Sequence, residues 1–237
     1  MEVKKCIILQ NYIKMKNKIV ISLVCLLLTL SLGGCSDSSK QDAQPSDQRT
    51  ASNTHMSDKK MAAGNTYERP YSPSFGAETA KVTIVEFFDP ACEACRSFYP
   101  FVKEILSRHP NDVRVVLRYA TFHQGSETVV RMLEAARLQG IFKSVLEALL
   151  EDQQQWASHH EPNLNRAWEI AKAAGLNVDS AKAVINSTNI NQILAQEKED
   201  IRSLQISQTP TFFVNEKPLP SFGAQQLYDL VISELNK

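Results

Sequence analysis

The sequence lacks an excess of charge of either sign. Its 26 lysine and arginine residues balance 26 aspartate and glutamate residues over 237 positions. Nucleic acids and acidic surfaces attract proteins with a basic excess, so the composition favours neither as a partner, and we predict no nucleic-acid binding. The length predicts one medium-sized folded domain.

A hydrophobic run long enough to cross a membrane is also missing. The main apolar run, residues 19–32, has about 14 residues, whereas a membrane-spanning helix needs about 20. Lysines precede this run and small residues follow it, which is the layout of a secretory signal peptide. We therefore predict a signal peptide over residues 1–34, with Met15 as an alternative start of the chain.

The predicted signal peptide ends in Leu32-Gly33-Gly34-Cys35, which resembles the lipobox of bacterial lipoproteins. The resemblance implies that Cys35 becomes the acylated first residue of the mature protein and anchors it to the inner or outer membrane of the cell envelope. The alternative is an ordinary signal peptide that is cut nearby, with Cys35 incidental.

Apolar residues are almost absent from the segment that follows. Residues 36–66 contain no Ile, Leu, Val or aromatic residue, so this stretch cannot bury enough apolar surface to fold. We predict that residues 35–69 form a lipidated, flexible tether and that residues 70–237 form the folded domain.

Cysteine is scarce, with five residues in all. Cys6 and Cys25 fall within the predicted signal peptide and Cys35 is the predicted lipid site, which leaves Cys92 and Cys95. A zinc site needs about four ligands, and the sequence has neither a second cysteine pair nor a His-x₃₋₅-His spacing. We therefore predict no metal site and no cofactor. The adjacent His159 and His160 are predicted to lie in a loop.

Strand and helix patterns alternate within residues 70–237. Lys81–Asp89 predicts a buried strand, an amphipathic helix begins at Glu93, and Val113–Ala120 predicts a second strand parallel to the first. Helical segments fill residues 126–204 without a strand signal. The chain then ends with two short strands and a helix, predicted at Thr211–Val214, Lys217–Leu219 and Ala224–Leu235.

Three sequence features point to a known fold: Cys-x-x-Cys at the first strand-to-helix junction, Pro100 five residues after Cys95, and Gln208-Thr209-Pro210 before the third strand. Together they resemble the thioredoxin fold, and the helical insert resembles the DsbA-type thiol–disulfide oxidoreductases. The fold class that this resemblance implies is α/β, thioredoxin-like, with the order βαβ, a helical insert at about 126–204, and ββα.

Cys92 is the predicted nucleophile. It stands where a strand ends and a helix begins, and the free N–H groups and dipole of a helix N-terminus favour a thiolate. Cys95, one helical turn later, is positioned to resolve a mixed disulfide or to close a disulfide with Cys92. A purely structural disulfide is disfavoured because so small a ring removes little chain entropy.

Three other residues are predicted to assist. Glu86 lies in the middle of the apolar strand, so burial should raise its pKa and let it carry protons for Cys95, as the resemblance also implies. The alternative is that strand alternation turns Glu86 towards solvent. Pro210 matches the cis-proline that faces the cysteines in thioredoxin-like proteins, and Thr209 before it is predicted to bind an extended substrate chain.

Glu93 and Ala94, between the cysteines, are predicted to tune the redox potential. An acid beside the nucleophile disfavours the thiolate, which should make the disulfide less oxidising than that of strongly oxidising DsbA-type proteins. His123 is a weaker candidate near the same end of the sheet. Two arginines, Arg96 and Arg118, are predicted to be solvated, and two tryptophans, Trp156 and Trp168, to pack in the core.

The function that these patterns predict is a membrane-tethered thiol–disulfide oxidoreductase outside the cytoplasm. Its predicted partners are extended or unfolded cysteine-containing envelope proteins and a membrane redox partner, either a quinone-linked reoxidase or an electron carrier. The direction stays open between oxidase, reductase and isomerase. Two other classes also stay open: a thioredoxin-fold chaperone or binding module, and a metal-handling protein that uses the cysteine pair as a clip.

Overall fold

A computed structural model of the chain describes residues 66–157 and 161–237. The predicted signal peptide, Cys35 and most of the predicted tether lie outside the described residues, and so do His159 and His160. Within the described part, no helix is both long enough and apolar enough to span a bilayer.

The strands of the described region are β1 Ser74–Gly76, β2 Val82–Phe88, β3 Val113–Tyr119, β4 Thr211–Val214 and β5 Lys217–Pro218. These five strands form one mixed sheet in the order β1-β3-β2-β4-β5. Strands β2 and β3 are parallel, β1 runs antiparallel to β3, and β4 runs antiparallel to β2 and β5. The parallel βαβ unit and the closing ββα unit are confirmed.

The edge strand β1 was not predicted. It has only three residues and pairs with β3 across about forty positions of sequence, so no local alternation of apolar and polar residues marks it. Strands β2 and β3 were predictable because both faces of each are buried, which produces nearly continuous runs of β-branched and aromatic residues.

The helices follow the predicted order with one break. The predicted segment Phe142–Trp156 is two helices that meet at Asp152. Trp156 is buried at the end of the second one, where its indole N–H donates to the Leu149 carbonyl at 2.8 Å. The helices are α1 Glu93–Arg108, α2 Ser126–Leu138, α3 Phe142–Glu151, α4 Gln153–Trp156, α5 Leu164–Ala173, α6 Val178–Val184, α7 Thr188–Ser203 and α8 Ala224–Leu235.

Arg118 is completely buried, so the prediction that it is solvated was wrong. Its guanidinium pairs with Glu197 and Asp200 of α7, and it donates to the carbonyl groups of Thr66 and Tyr67. Strand β3 places this side chain under α7, where two carboxylates balance the charge; neither partner is near in sequence.

The same ionic cluster fixes the start of the folded part. Arg69 donates to Asp200 through two nitrogen atoms, at 2.8 and 2.6 Å, and Tyr67 packs against Phe213. Tyr67 and Arg69, just before the predicted boundary at residue 70, therefore pack against the folded domain, and the boundary itself stays a prediction.

We expect Arg118→Met to lower the free energy of unfolding by roughly 3 kcal/mol, since it leaves the buried Glu197 without its cation. Urea denaturation measures this change. The matched control is Arg202→Met on the same helix as Glu197, where an exposed arginine pairs with exposed Glu199 and the loss should stay below about 1 kcal/mol. Equal losses in the two variants would contradict the expectation.

Candidate redox site

Cys92 caps the N-terminus of α1 and Cys95 lies in its first turn. Both side chains are buried and both are free thiols, with Cys92 5% and Cys95 0% exposed. The Cys92 Sγ atom lies 3.3 Å from the Thr209 carbonyl oxygen, and the Asp89 backbone N–H donates to Cys95 Sγ at 3.5 Å. The predicted pair is thus at the predicted strand-to-helix junction, beside the proline loop.

The pKa values of the two thiols are shifted in opposite directions. A hydrogen bond from the Cys95 thiol lowers the pKa of Cys92 to about 5, with further help from the backbone N–H groups of Cys95 and Ala94. Burial is the main cause that raises the pKa of Cys95, followed by its hydrogen bond to Cys92 and the charge of Glu86. At neutral pH, Cys92 is therefore the thiolate and Cys95 holds its proton.

We expect the reduced protein to show one thiolate titration with a midpoint near pH 5. The ultraviolet absorbance of the thiolate measures it, and the rate of alkylation by iodoacetamide should follow the same curve. Cys92→Ser is the control and should remove this transition. A midpoint near that of a free cysteine, about 8.5, would contradict the assignment of Cys92 as the nucleophile.

Glu86 is buried, so the alternative that it faces solvent was wrong. Burial raises the pKa of its carboxyl group to about 8, and the nearby Cys92 charge adds to the effect. Neither carboxyl oxygen has a hydrogen-bond partner among the described residues. Glu86 also lines a cavity of about 40 Å³, together with Tyr99, Lys103 and Lys143. Burial without a hydrogen-bond partner in the described part of the chain therefore keeps the Glu86 carboxyl group protonated at neutral pH.

The peptide bond between Thr209 and Pro210 is cis, as predicted. Pro210 is buried and β4 begins directly after it, at Thr211. Because the Thr209 carbonyl contacts Cys92 Sγ, the proline loop stands directly beside the nucleophile.

The residues between the cysteines differ in exposure. Glu93 is exposed as the first residue of α1, and its carbonyl accepts from Ser97 Oγ at 2.9 Å, whereas Ala94 is half-buried. The largest influences on the pKa of Cys92 are hydrogen bonds and burial rather than the Glu93 charge. The idea that Glu93 and Ala94 tune the redox potential stays a prediction.

Asp89 is a functional candidate that was missed. Its fully buried carboxylate accepts from the N–H groups of Ala91 at 2.8 Å, Phe122 at 2.7 Å and His123 at 2.9 Å, and from the Ser126 hydroxyl. The His123 Nδ1 atom is also 2.9 Å away. Asp89 thus joins the cysteine loop to the loop after β3. An aspartate between a strand and a Pro-Ala turn was the available signal, since such side chains bind nearby backbone N–H groups.

Gln153 was missed as well, and no signal in the sequence could have found it. It opens a helix of the insert, in a run of three glutamines, and is 1% exposed against the cysteine loop. Arg96, predicted to be solvated, is half-buried because its Nε atom donates to Gln153. In the described region no three His, Cys, Asp or Glu side chains gather as a metal site requires.

The family model described as thioredoxin matches residues 68–229. A thioredoxin-like oxidoreductase from Silicibacter pomeroyi is 26% identical, with a TM-score of 0.62 over 72% of this chain and 95% of that chain. The α-DsbA1 protein of Wolbachia pipientis is 15% identical, with a TM-score of 0.63 over 71% of this chain and 93% of that chain. The predicted thioredoxin-like fold with a helical insert is thereby confirmed.

One protein with a similar sequence is an antiporter. The Na⁺/H⁺ antiporter NhaA 1 of Mycolicibacterium gilvum is 26% identical over 149 residues, which are 60% of this chain. That match covers 23% of the antiporter, so the chain spans about a quarter of the length of this relative. Since the thioredoxin model matches most of the sequence and the cysteine pair lies where the fold predicts it, the chain belongs to the thioredoxin family.

Proposed function

We propose that this protein is a thiol–disulfide oxidoreductase that exchanges disulfides in other proteins through Cys92 and Cys95. The observation that supports this proposal most strongly is the cysteine pair itself. The Cys92 thiol, whose pKa is lowered to about 5, is in contact with a buried Cys95, whose pKa is raised. One thiol is ready to attack, and the other is kept protonated until it is needed.

When the protein acts as an oxidant, a substrate thiolate attacks Cys92 of the Cys92–Cys95 disulfide. The bond between the two cysteines breaks, a mixed disulfide forms with Cys92, and Cys95 leaves as a thiolate that takes up a proton. A second substrate thiolate then attacks the substrate sulfur of the mixed disulfide and releases Cys92 as a stable thiolate. Two electrons pass from the substrate to the protein, and the same steps in reverse reduce a substrate disulfide.

Glu86 is the proposed proton carrier for Cys95. Its raised pKa, about 8, lets it hold a proton at neutral pH and give or take it as Cys95 changes state. Thr209 and Pro210 are the proposed binding site for substrate, because the loop that holds them lies directly beside Cys92 Sγ, which a substrate sulfur must reach.

The proposed direction is oxidation of substrate thiols. A stabilised Cys92 thiolate stabilises the reduced form and makes the disulfide a better oxidant. A Cys92 pKa of about 5 lies between the values of about 7 for thioredoxin and about 3.5 for DsbA. We therefore place the reduction potential between about −270 and about −120 mV. The partners are extended or unfolded cysteine-containing envelope proteins and a membrane reoxidant. Attachment through Cys35 rests on the lipobox resemblance.

The direct test is reduction of insulin by dithiothreitol, with and without the purified protein. The wild-type protein should accelerate it, and Cys92→Ser should not. Equal rates of insulin reduction with the wild-type protein and with Cys92→Ser would refute the oxidoreductase function. They would support a binding module that has the thioredoxin-like fold but does not exchange disulfides. Equilibration with glutathione buffers then measures the potential, and a value at or below that of thioredoxin would refute the oxidising direction.

A further inference from the structure

Gln153 connects the helical insert to the cysteine loop through every polar atom of its side chain. Its Nε2 atom donates to the Pro90 carbonyl at 2.8 Å and to the Cys92 carbonyl at 3.0 Å. Its Oε1 atom accepts from Arg96 Nε at 3.1 Å. The side chain is 1% exposed, so these three contacts replace water completely.

The three partners lie on both sides of the nucleophile. Pro90 comes before Cys92 in the turn that enters α1, and Arg96 follows in the first turn of the helix. The Cys92 carbonyl also accepts from the Arg96 backbone N–H at 3.1 Å, which is the first backbone hydrogen bond of the helix. The same carbonyl oxygen therefore accepts two hydrogen bonds, one from the helix backbone and one from the Gln153 side chain. One side chain thus holds the turn, the cap and the first helical turn together.

Arg96 fixes the direction of the amide. Since Arg96 can only donate, Oε1 must face it, and both N–H groups of Gln153 must then face the loop carbonyls. Withdrawing either carbonyl from Gln153 would leave a buried donor without a partner, which is strongly unfavourable. The orientation of this loop is therefore tied to a residue about sixty positions away, outside the strands and helices that carry the cysteines.

We propose that Gln153 is a positioning residue of the redox site, which holds the start of α1 so that the backbone N–H groups of Ala94 and Cys95 face the Cys92 sulfur. These N–H groups are among the groups that stabilise the thiolate, and their effect depends on direction. The inference rests on the proposed function in taking Cys92 as the nucleophile, but its consequence, the acidity of Cys92, is measurable without any substrate.

The test replaces Gln153 with methionine, which keeps the length of the side chain and removes its hydrogen bonds. We expect the titration midpoint of Cys92 to rise by about one pH unit, so alkylation by iodoacetamide at pH 5 should slow about fivefold. Gln154→Met is the matched control: it is the same change at the next residue of α4, where the side chain is exposed, and it should leave the midpoint unchanged.

A merely structural role for Gln153 would lower the melting temperature of Gln153→Met and leave its midpoint at the wild-type value, and that result would overturn the proposal. If Gln153→Met does not fold, Gln153→Asn serves, because its shorter amide cannot reach both carbonyls and Arg96. Its midpoint should rise by a smaller amount, and an unchanged midpoint would again overturn the proposal. Failure of the wild-type protein to reduce insulin would refute the proposed function alone, since the titration requires no turnover.

Discussion

Replacing Cys95 with alanine is expected to trap the protein in mixed disulfides with its substrates. Cys92 can still attack, but the neighbouring thiol that releases the substrate is gone. An oriented neighbouring group acts at an effective concentration of roughly 10⁵ M or more, which a millimolar external thiol cannot match. Release of bound substrate should therefore slow by more than about 10³-fold. Non-reducing electrophoresis after incubation with oxidised, unfolded protein measures the adduct.

The control for this experiment is the double variant Cys92→Ser with Cys95→Ala, which should form no adduct. The single variant also loses the hydrogen bond that contributes most to lowering the pKa of Cys92, so its reaction with substrate should shift to higher pH. A result in which Cys95→Ala releases substrate as fast as the wild-type protein would show that Cys95 is not the resolving thiol.

Glu86→Gln is expected to stabilise the protein at alkaline pH relative to the wild type. The folded pKa of Glu86, about 8, lies above the ordinary value of 4.5, so the folded state binds its proton more tightly than the unfolded state. This contribution is complete below pH 4.5 and is lost as the pH rises through about 8. Over that interval the wild-type protein should lose roughly 5 kcal/mol that the glutamine variant retains.

Urea denaturation across this pH range measures the effect as a growing difference between the two unfolding free energies. Glu78→Gln, which replaces an exposed glutamate of the same domain, is the control and should keep the wild-type pH dependence. If the Glu86→Gln and wild-type curves stay parallel, the Glu86 carboxyl group does not have a raised pKa and cannot serve as the proton carrier at neutral pH.

The parts of the site that the sequence predicted are those whose signal is local. Cys92 and Cys95 are one helical turn apart at a strand-to-helix junction, and Thr209-Pro210 directly precedes a short apolar strand. Glu86 stood out because it is the one charged residue within the seven residues of β2, VTIVEFF. Each of these could be found within a dozen positions of sequence.

The parts that were missed depend on contacts between distant segments. Gln153 reaches Pro90 across 63 positions, and Arg118 reaches Asp200 across 82. A polar residue in a helix or strand is usually exposed, and only the folded partner shows that a particular one is buried and satisfied. The three-residue strand β1 was missed for the same reason, since its pairing with β3 has no trace in its own sequence.

The ionic cluster around Arg118 also decides how the domain would respond to a mechanical load. Tension applied through the chain before residue 66 meets the Thr66 and Tyr67 carbonyls, which Arg118 holds, and then Arg69, which Asp200 holds. Arg118 belongs to β3, which has a neighbouring strand on each side, so these contacts pass the load to the interior of the sheet before it reaches the edge strand β1, which follows Arg69 in the chain. The cysteine pair should therefore stay assembled under a pull until these buried ion pairs rupture.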